Sequence, residues 1–103
     1  HDGNWRGRQL IPATWINEAT RVRDDQPHLR PGTARGYLGY GYQVWLLPGE
    51  RRMFVLLGVH GQAIFVDPTS RLVMVQTAVY KEPGDPIREA YALWRGVVTR
   101  RRD

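Results

Sequence analysis

A single histidine between two glycines follows an apolar run and is the best candidate for chemistry in this sequence. The block Gly58-Val59-His60-Gly61-Gln62 comes directly after the apolar residues 53–57. Glycine has no Cβ, so a ligand or a second backbone can approach this strand end closely. Backbone N–H groups there can form part of an oxyanion hole, and a histidine can act as a general base or as a donor to an oxyanion. The five residues are therefore candidate oxyanion-binding or pocket-lining residues, although His60 could equally satisfy only local hydrogen bonds.

The other polar residues do not form a catalytic set, so no catalytic residue is assigned in the chain. Ser70 has Val73 three residues later and not the lysine that would activate it, and Asp67 is expected to hold a turn with Pro68. The chain has no cysteine, which excludes disulfides, thiol catalysis and cysteine metal sites. The histidines are too far apart for metal-ligand spacing, so neither a metal nor a cofactor is expected: His1, His28 and His60.

The elements that must position this block read as a single α+β unit. Alternating or continuous apolar residues predict an antiparallel β-meander of about four strands, over residues 39–47, 53–59, 63–66 and 72–79. Short polar connections between these strands favour antiparallel neighbours. Residues 21–38 have little apolar periodicity and predict a long surface loop.

Two helices flank the predicted meander. A short helix is expected over residues 13–20, with Pro12 at its first position. A C-terminal helix is expected after Asp85 as N-cap and Pro86 as first residue. Its apolar residues recur at spacings of three and four, so this face should pack on one side of the sheet: Ile87, Ala90, Tyr91, Trp94, Val97 and Val98.

Composition narrows the possible partners. The 103 residues carry a formal net charge of +5, and only Lys81 among the 15 basic residues is a lysine. Because the arginines are scattered, we interpret them as a solvated basic surface and expect no nucleic acid, although a small basic nucleic-acid-binding module remains an alternative. No apolar run has transmembrane length, so no membrane partner is expected. The sequence does not indicate a compartment.

The chain resembles the C-terminal part of the β-lactamase-like serine hydrolases. That family includes class C β-lactamases, penicillin-binding-protein-like esterases and 6-aminohexanoate-dimer hydrolases, and the last group is the most similar. The resemblance spans nearly the whole chain and rests on three stretches in the same order. The first contains Asp2-Gly3, Trp5, Gly7, Leu10-Ile11-Pro12 and Trp15-Ile16, and the second is Gly39-Tyr40-Gly41-Tyr42-Gln43-Val44-Trp45. The third contains Gly58, Gly61-Gln62, Ile64 and Val66-Asp67-Pro68.

The resemblance implies hydrolysis of a small amide or ester through an acyl-enzyme. Such enzymes use the serine of a Ser-x-x-Lys motif as nucleophile, with the lysine and a tyrosine as proton shuttles. A third motif, Lys-Thr-Gly or His-x-Gly, lines the pocket, and here only its glycine is kept, in Leu56-Leu57-Gly58. The backbone N–H of Val59 then falls where the family places one oxyanion donor. The missing cation argues against a β-lactamase and leaves amide or ester hydrolysis open.

The resemblance also implies that residues 1–103 form one unit of a larger hydrolase domain. The Ser-x-x-Lys and tyrosine motifs are absent from these residues, so we expect this chain alone to be inactive. We further expect an exposed apolar face or sheet edge through which copies self-associate. A non-catalytic scaffold or peptide-binding relative of the same fold remains the alternative, because fold does not fix function.

Overall fold

The computed structural model describes residues 1–81 and 88–100, and these form the α+β unit that the sequence predicts. A five-stranded antiparallel sheet has the strand order of the chain, and a separate two-stranded hairpin precedes it. The strands are β1 (Asn4–Trp5), β2 (Arg8–Gln9), β3 (Gly39–Tyr40), β4 (Trp45–Leu46), β5 (Phe54–Leu57), β6 (Ala63–Asp67) and β7 (Leu72–Gln76). The helices are α1 (Ala13–Ala19) and α2 (Arg88–Arg100), with a 3₁₀ turn at Pro27–Leu29 inside the predicted loop.

The core lies between one face of the sheet and α2. Val55 and Phe65 are opposite each other on β5 and β6, and both are fully buried. The Trp94 ring stacks on Phe65 with centroids 5.4 Å apart and is also fully buried. Ala90, one turn earlier on α2, is 2% exposed. The predicted packing of the C-terminal helix on one side of the meander is thus confirmed.

The predicted strand over residues 39–47 is wrong in one respect, because the structure divides it into β3 and β4. Gln43 has a φ of +63° and the Gly41 N–H donates to the Val44 carbonyl at 2.9 Å, which closes a tight turn. The Tyr42 N–H donates to the Ala19 carbonyl of α1, also at 2.9 Å. A Cβ on Gly41 would lie 2.1 Å from that carbonyl oxygen. The end of α1 therefore takes a backbone donor that a continuous strand would give to its neighbour, and the sheet has five strands.

Other boundaries differ by a few residues. Pro12 is the N-cap of α1 and not its first helical residue; its ψ of 133° is extended. β5 and β7 end earlier than predicted, at Leu57 and Gln76, since the residues after each strand turn towards one another. The predicted caps Asp85 and Pro86 and the apolar Ile87 lie outside the described residues.

Candidate functional site

The five candidate residues form the turn that joins β5 to β6, here called the glycine turn (Gly58 to Gln62). The Gly58 N–H donates to the Gln62 carbonyl at 2.8 Å and closes the turn. The side chain of Gln62 folds back, and its Oε1 accepts from the His60 N–H at 3.2 Å. Gly58 lies where a Cβ would be 2.5 Å from this same Oε1. The absence of a side chain at position 58 therefore lets Gln62 brace the turn from inside.

The glycine turn is also held from the segment after β7. Gly61 has a φ of +97°, and a Cβ there would lie 2.6 Å from the Tyr80 ring. The Tyr80 N–H donates to the His60 carbonyl at 2.7 Å. The Gln76 Nε2 donates to the Gly61 carbonyl at 2.7 Å and reaches the Tyr80 hydroxyl at 3.3 Å. The His60 and Gly61 carbonyls are thus tied to the segment of Gln76 and Tyr80, which fixes the turn's position relative to the sheet.

His60 is half-buried and its ring is oriented by the backbone. Its Nδ1 lies 3.2 Å from the Tyr80 carbonyl oxygen. Because a carbonyl oxygen can only accept, this contact requires the proton on Nδ1, which leaves Nε2 of the neutral ring as an acceptor. Chemically, Nε2 can then receive a proton or a hydrogen bond from a group entering from outside the turn.

Val59 occupies the exposed tip of the turn. Its side chain is 69% exposed. Within residues 1–81 and 88–100, the flanking N–H groups of Gly58 and His60 have acceptors, whereas the Val59 N–H donates to none. An unpaired N–H on a braced turn is suited to bind an anionic oxygen, since its orientation costs no reorganisation.

Ser70, the only serine of the chain, is used in a different turn. Its hydroxyl donates to Asp67 Oδ2 at 2.7 Å, and the Thr69 N–H donates to Oδ1 at 3.1 Å. Arg51 also pairs with this carboxylate, which is fully buried. Asp67 therefore holds the β6–β7 turn, as the sequence predicts, and Ser70 contacts no histidine.

The two residues that the sequence analysis did not connect to the site are Gln76 and Tyr80. They lie 16 and 20 positions after His60, so only the sheet topology brings them together. Gln76 did leave a signal, because it is the one polar residue of the otherwise apolar β7. Tyr80 left none.

Metal ligands and membrane spans were also sought among the described residues. Across residues 1–81 and 88–100, no three histidine, aspartate or glutamate side chains cluster as metal ligands would. Neither described helix has the length and hydrophobicity needed to cross a bilayer.

Comparison with known proteins identifies the fold but not the family. No family model matches the chain, and no curated protein matches it. Among solved structures, it is similar to the protein named "Putative 6-aminohexanoate-dimer hydrolase from Bacillus anthracis", with a TM-score of 0.69 and 23% identity. The match covers 94% of this chain and 24% of that protein, so the chain spans about a quarter of its length. The α+β unit described above therefore shares its fold with part of that protein.

Proposed function

We propose that this chain forms one wall of the active site of a serine hydrolase that cleaves a small amide or ester through an acyl-enzyme. In this proposal the glycine turn lines the pocket and the Val59 N–H is one donor of the oxyanion hole. The observation that carries it is the Val59 N–H, which has no acceptor among residues 1–81 and 88–100, whereas the N–H groups on either side are held within the turn. The fold likeness to a longer protein named as a hydrolase supports the same proposal.

In this proposal the chain takes part in one step of the reaction, which is the stabilisation of the negatively charged intermediate. A serine hydroxyl supplied by the rest of the longer protein attacks the substrate carbonyl carbon, and its proton passes to a neighbouring base. The carbonyl oxygen then carries the negative charge and accepts a hydrogen bond from the Val59 N–H. Collapse of this intermediate breaks the bond to the amine or alcohol, which takes up the proton from that base. Water then attacks the acyl carbon, which releases the acid and returns the serine hydroxyl. Preorganised donors of this kind contribute roughly 10²–10³ to the rate in acyl transfer.

In this scheme His60 can accept a proton or a hydrogen bond, but it does not donate to the oxyanion. With Nδ1 donating to the Tyr80 carbonyl, only Nε2 is available to the pocket. Nε2 can accept a hydrogen bond from the substrate or from a proton shuttle, whereas it cannot donate to the oxyanion while the ring is neutral. The proposal therefore assigns His60 to acceptance of a proton or hydrogen bond, and Val59 to the oxyanion.

The test is a substitution at Gly58 in the full-length protein. A Gly58→Val side chain would displace Gln62, which braces the turn, and so move the Val59 N–H. We expect the rate of acyl-enzyme formation, followed by a burst assay with an activated ester, to fall by roughly two orders of magnitude. Gly96→Val is the matched control, because a Cβ at Gly96 on α2 meets nothing within 4 Å.

Undiminished acylation in folded Gly58→Val protein would contradict the oxyanion assignment. The wider proposal has its own test, which is the sequence of the reading frame that encodes the longer protein. A Ser-x-x-Lys and a tyrosine motif in the same frame support the hydrolase. Their absence would leave a non-catalytic scaffold of this fold.

A further inference from the structure

A cavity opens at the other end of β5 from the glycine turn. It has a volume of about 890 Å³. Its lining comes from four separate segments: residues 20–22 at the end of α1, the loop at residues 30–31, residues 46–53 around the β4–β5 connection, and Thr69 in the β6–β7 turn. Because Met53 lines this cavity and the glycine turn follows Leu57, the whole length of β5 separates the two sites.

Arginines dominate the charge of this cavity. Its lining includes Arg21, Arg30, Arg51 and Arg52, against the single carboxylate of Glu50. An open cavity with an excess of one sign of charge concentrates ions of the opposite sign. The cavity is therefore unsuited to a cation and suited to an anion.

Two of the arginines are fixed in place by the fold. Arg51 is held through one terminal nitrogen by the fully buried Asp67. Arg52 contacts the Thr20 hydroxyl and pairs with Asp2 at 3.0 Å, and its side chain is only 14% exposed. A guanidinium has five N–H donors in a planar fork, so each of these contacts leaves donors for a ligand.

The other two arginines carry charge that no carboxylate balances within the described ranges. Arg21 contacts only the neutral amide oxygen of Asn17, at 3.2 and 3.3 Å. The exposed Arg30 forms no ion pair with a residue of those ranges. These two arginines belong to segments of the cavity lining other than the β4–β5 connection, which carries Arg51 and Arg52.

We propose that this cavity binds the phosphate group of a small molecule. Guanidinium forks match the oxygens of phosphate in paired hydrogen bonds, and phosphate carries close to two negative charges at neutral pH. The cavity arginines come from three segments, and a phosphate offers more oxygens to accept from several of them than a ligand carboxylate does. The rest of the cavity volume accommodates the body of the ligand.

The test is a titration of the protein with inorganic phosphate, followed by calorimetry at constant ionic strength. We expect saturable binding that is roughly tenfold weaker in Arg30→Ala, since one charge-assisted contact is lost. Arg8→Ala is the matched control, because it removes the same charge from an exposed strand outside the cavity. Both arginines are exposed, so thermal unfolding should show that both variants fold like the parent.

Three results would overturn the proposal. The first is no saturable heat with phosphate, and the second is equal weakening in Arg30→Ala and Arg8→Ala. The third is binding of a short DNA duplex, lost steeply with salt, without binding of phosphate alone; this result would assign the charge to a polymer backbone. None of these results depends on hydrolase activity, so this proposal and the proposed function fail separately.

Discussion

The phenol of Tyr37 makes the stability of the fold depend on pH. Its ring stacks on Tyr91 with centroids 4.9 Å apart. Burial raises the pKa of Tyr37 above its ordinary value of 10.0; Tyr91 raises it further and Arg88 opposes the rise. Because the folded protein holds this proton more tightly than the unfolded chain, the stabilisation is complete below the unfolded pKa and is lost as the pH rises through the folded pKa.

We expect the thermal unfolding midpoint to fall as the pH rises from about 9 to about 11. Tyr37→Phe should remove part of this fall, because the titrating hydroxyl is gone while most of the ring stacking is kept. Tyr40→Phe makes the same chemical change against Trp45, away from Tyr91. Parallel curves for the parent protein and Tyr37→Phe would show that Tyr37 does not carry the effect.

The sequence around Asp67 predicted its role in a turn but not its ion-pair partner. Its position before Pro68 predicted a turn residue, and the bonds from Ser70 and Thr69 confirm it. The pairing with Arg51 was not predictable locally, since 16 positions separate the two residues. A buried carboxylate needs such a partner, because an unpaired charge would be expensive to remove from water.

At the scale of elements, Gly61 determines how the glycine turn joins the segment after β7. Gly61→Ala would place a side chain both at a φ of +97° and against the Tyr80 ring. We expect it to lower the free energy of unfolding by about 2–4 kcal/mol, from backbone strain plus steric overlap. Gly7→Ala is the matched control, because Gly7 has a φ of +82° with nothing within 4 Å of a Cβ.

The difference between the two glycine variants in urea unfolding isolates the contact with Tyr80. Gly7→Ala should lower the free energy of unfolding by only about 1–2 kcal/mol, the cost of the left-handed backbone alone. Equal losses in both variants would mean that the turn does not depend on Tyr80.

Elements defined by local periodicity were predictable, and those defined by distant contacts were not. The meander and the buried face of α2 follow from alternation and from three-to-four spacing. The split between β3 and β4 depends on the Ala19 carbonyl of α1, which lies far away in sequence. Likewise the glycines located the candidate site, whereas its braces Gln76 and Tyr80 became apparent only from the pairing of β6 with β7.

At the scale of the molecule, the face of the sheet opposite α2 is apolar and exposed. Leu56, Ile64 and Val75 form a row across three strands and are 41%, 39% and 62% exposed. β7 closes one edge of the sheet and carries no charged residue. In a chain of charge +5, such an uncharged edge lets a second copy approach without local repulsion. We propose that a second copy pairs along β7, so that its strand lies beside the Val75 end of this row.

We expect sedimentation velocity to show association that increases with protein concentration. Val75→Lys should abolish it, because like charges would meet across the shared edge. Leu93→Lys introduces the same charge on an exposed apolar position of α2 and should leave association unchanged. A compact monomer at all concentrations, without binding of a dye for apolar surface, would contradict this proposal.

The strands of the sheet lie in the same order as in the chain, and this topology affects the folding rate. Each ladder joins strands that are consecutive along the chain, so each pairing closes only a short loop and costs little chain entropy. Topologies dominated by such local contacts fold faster than sandwiches, in which distant strands must meet first. The sheet that carries the glycine turn can therefore assemble hairpin by hairpin, whereas the brace from Tyr80 joins residues 20 positions apart and closes a longer loop.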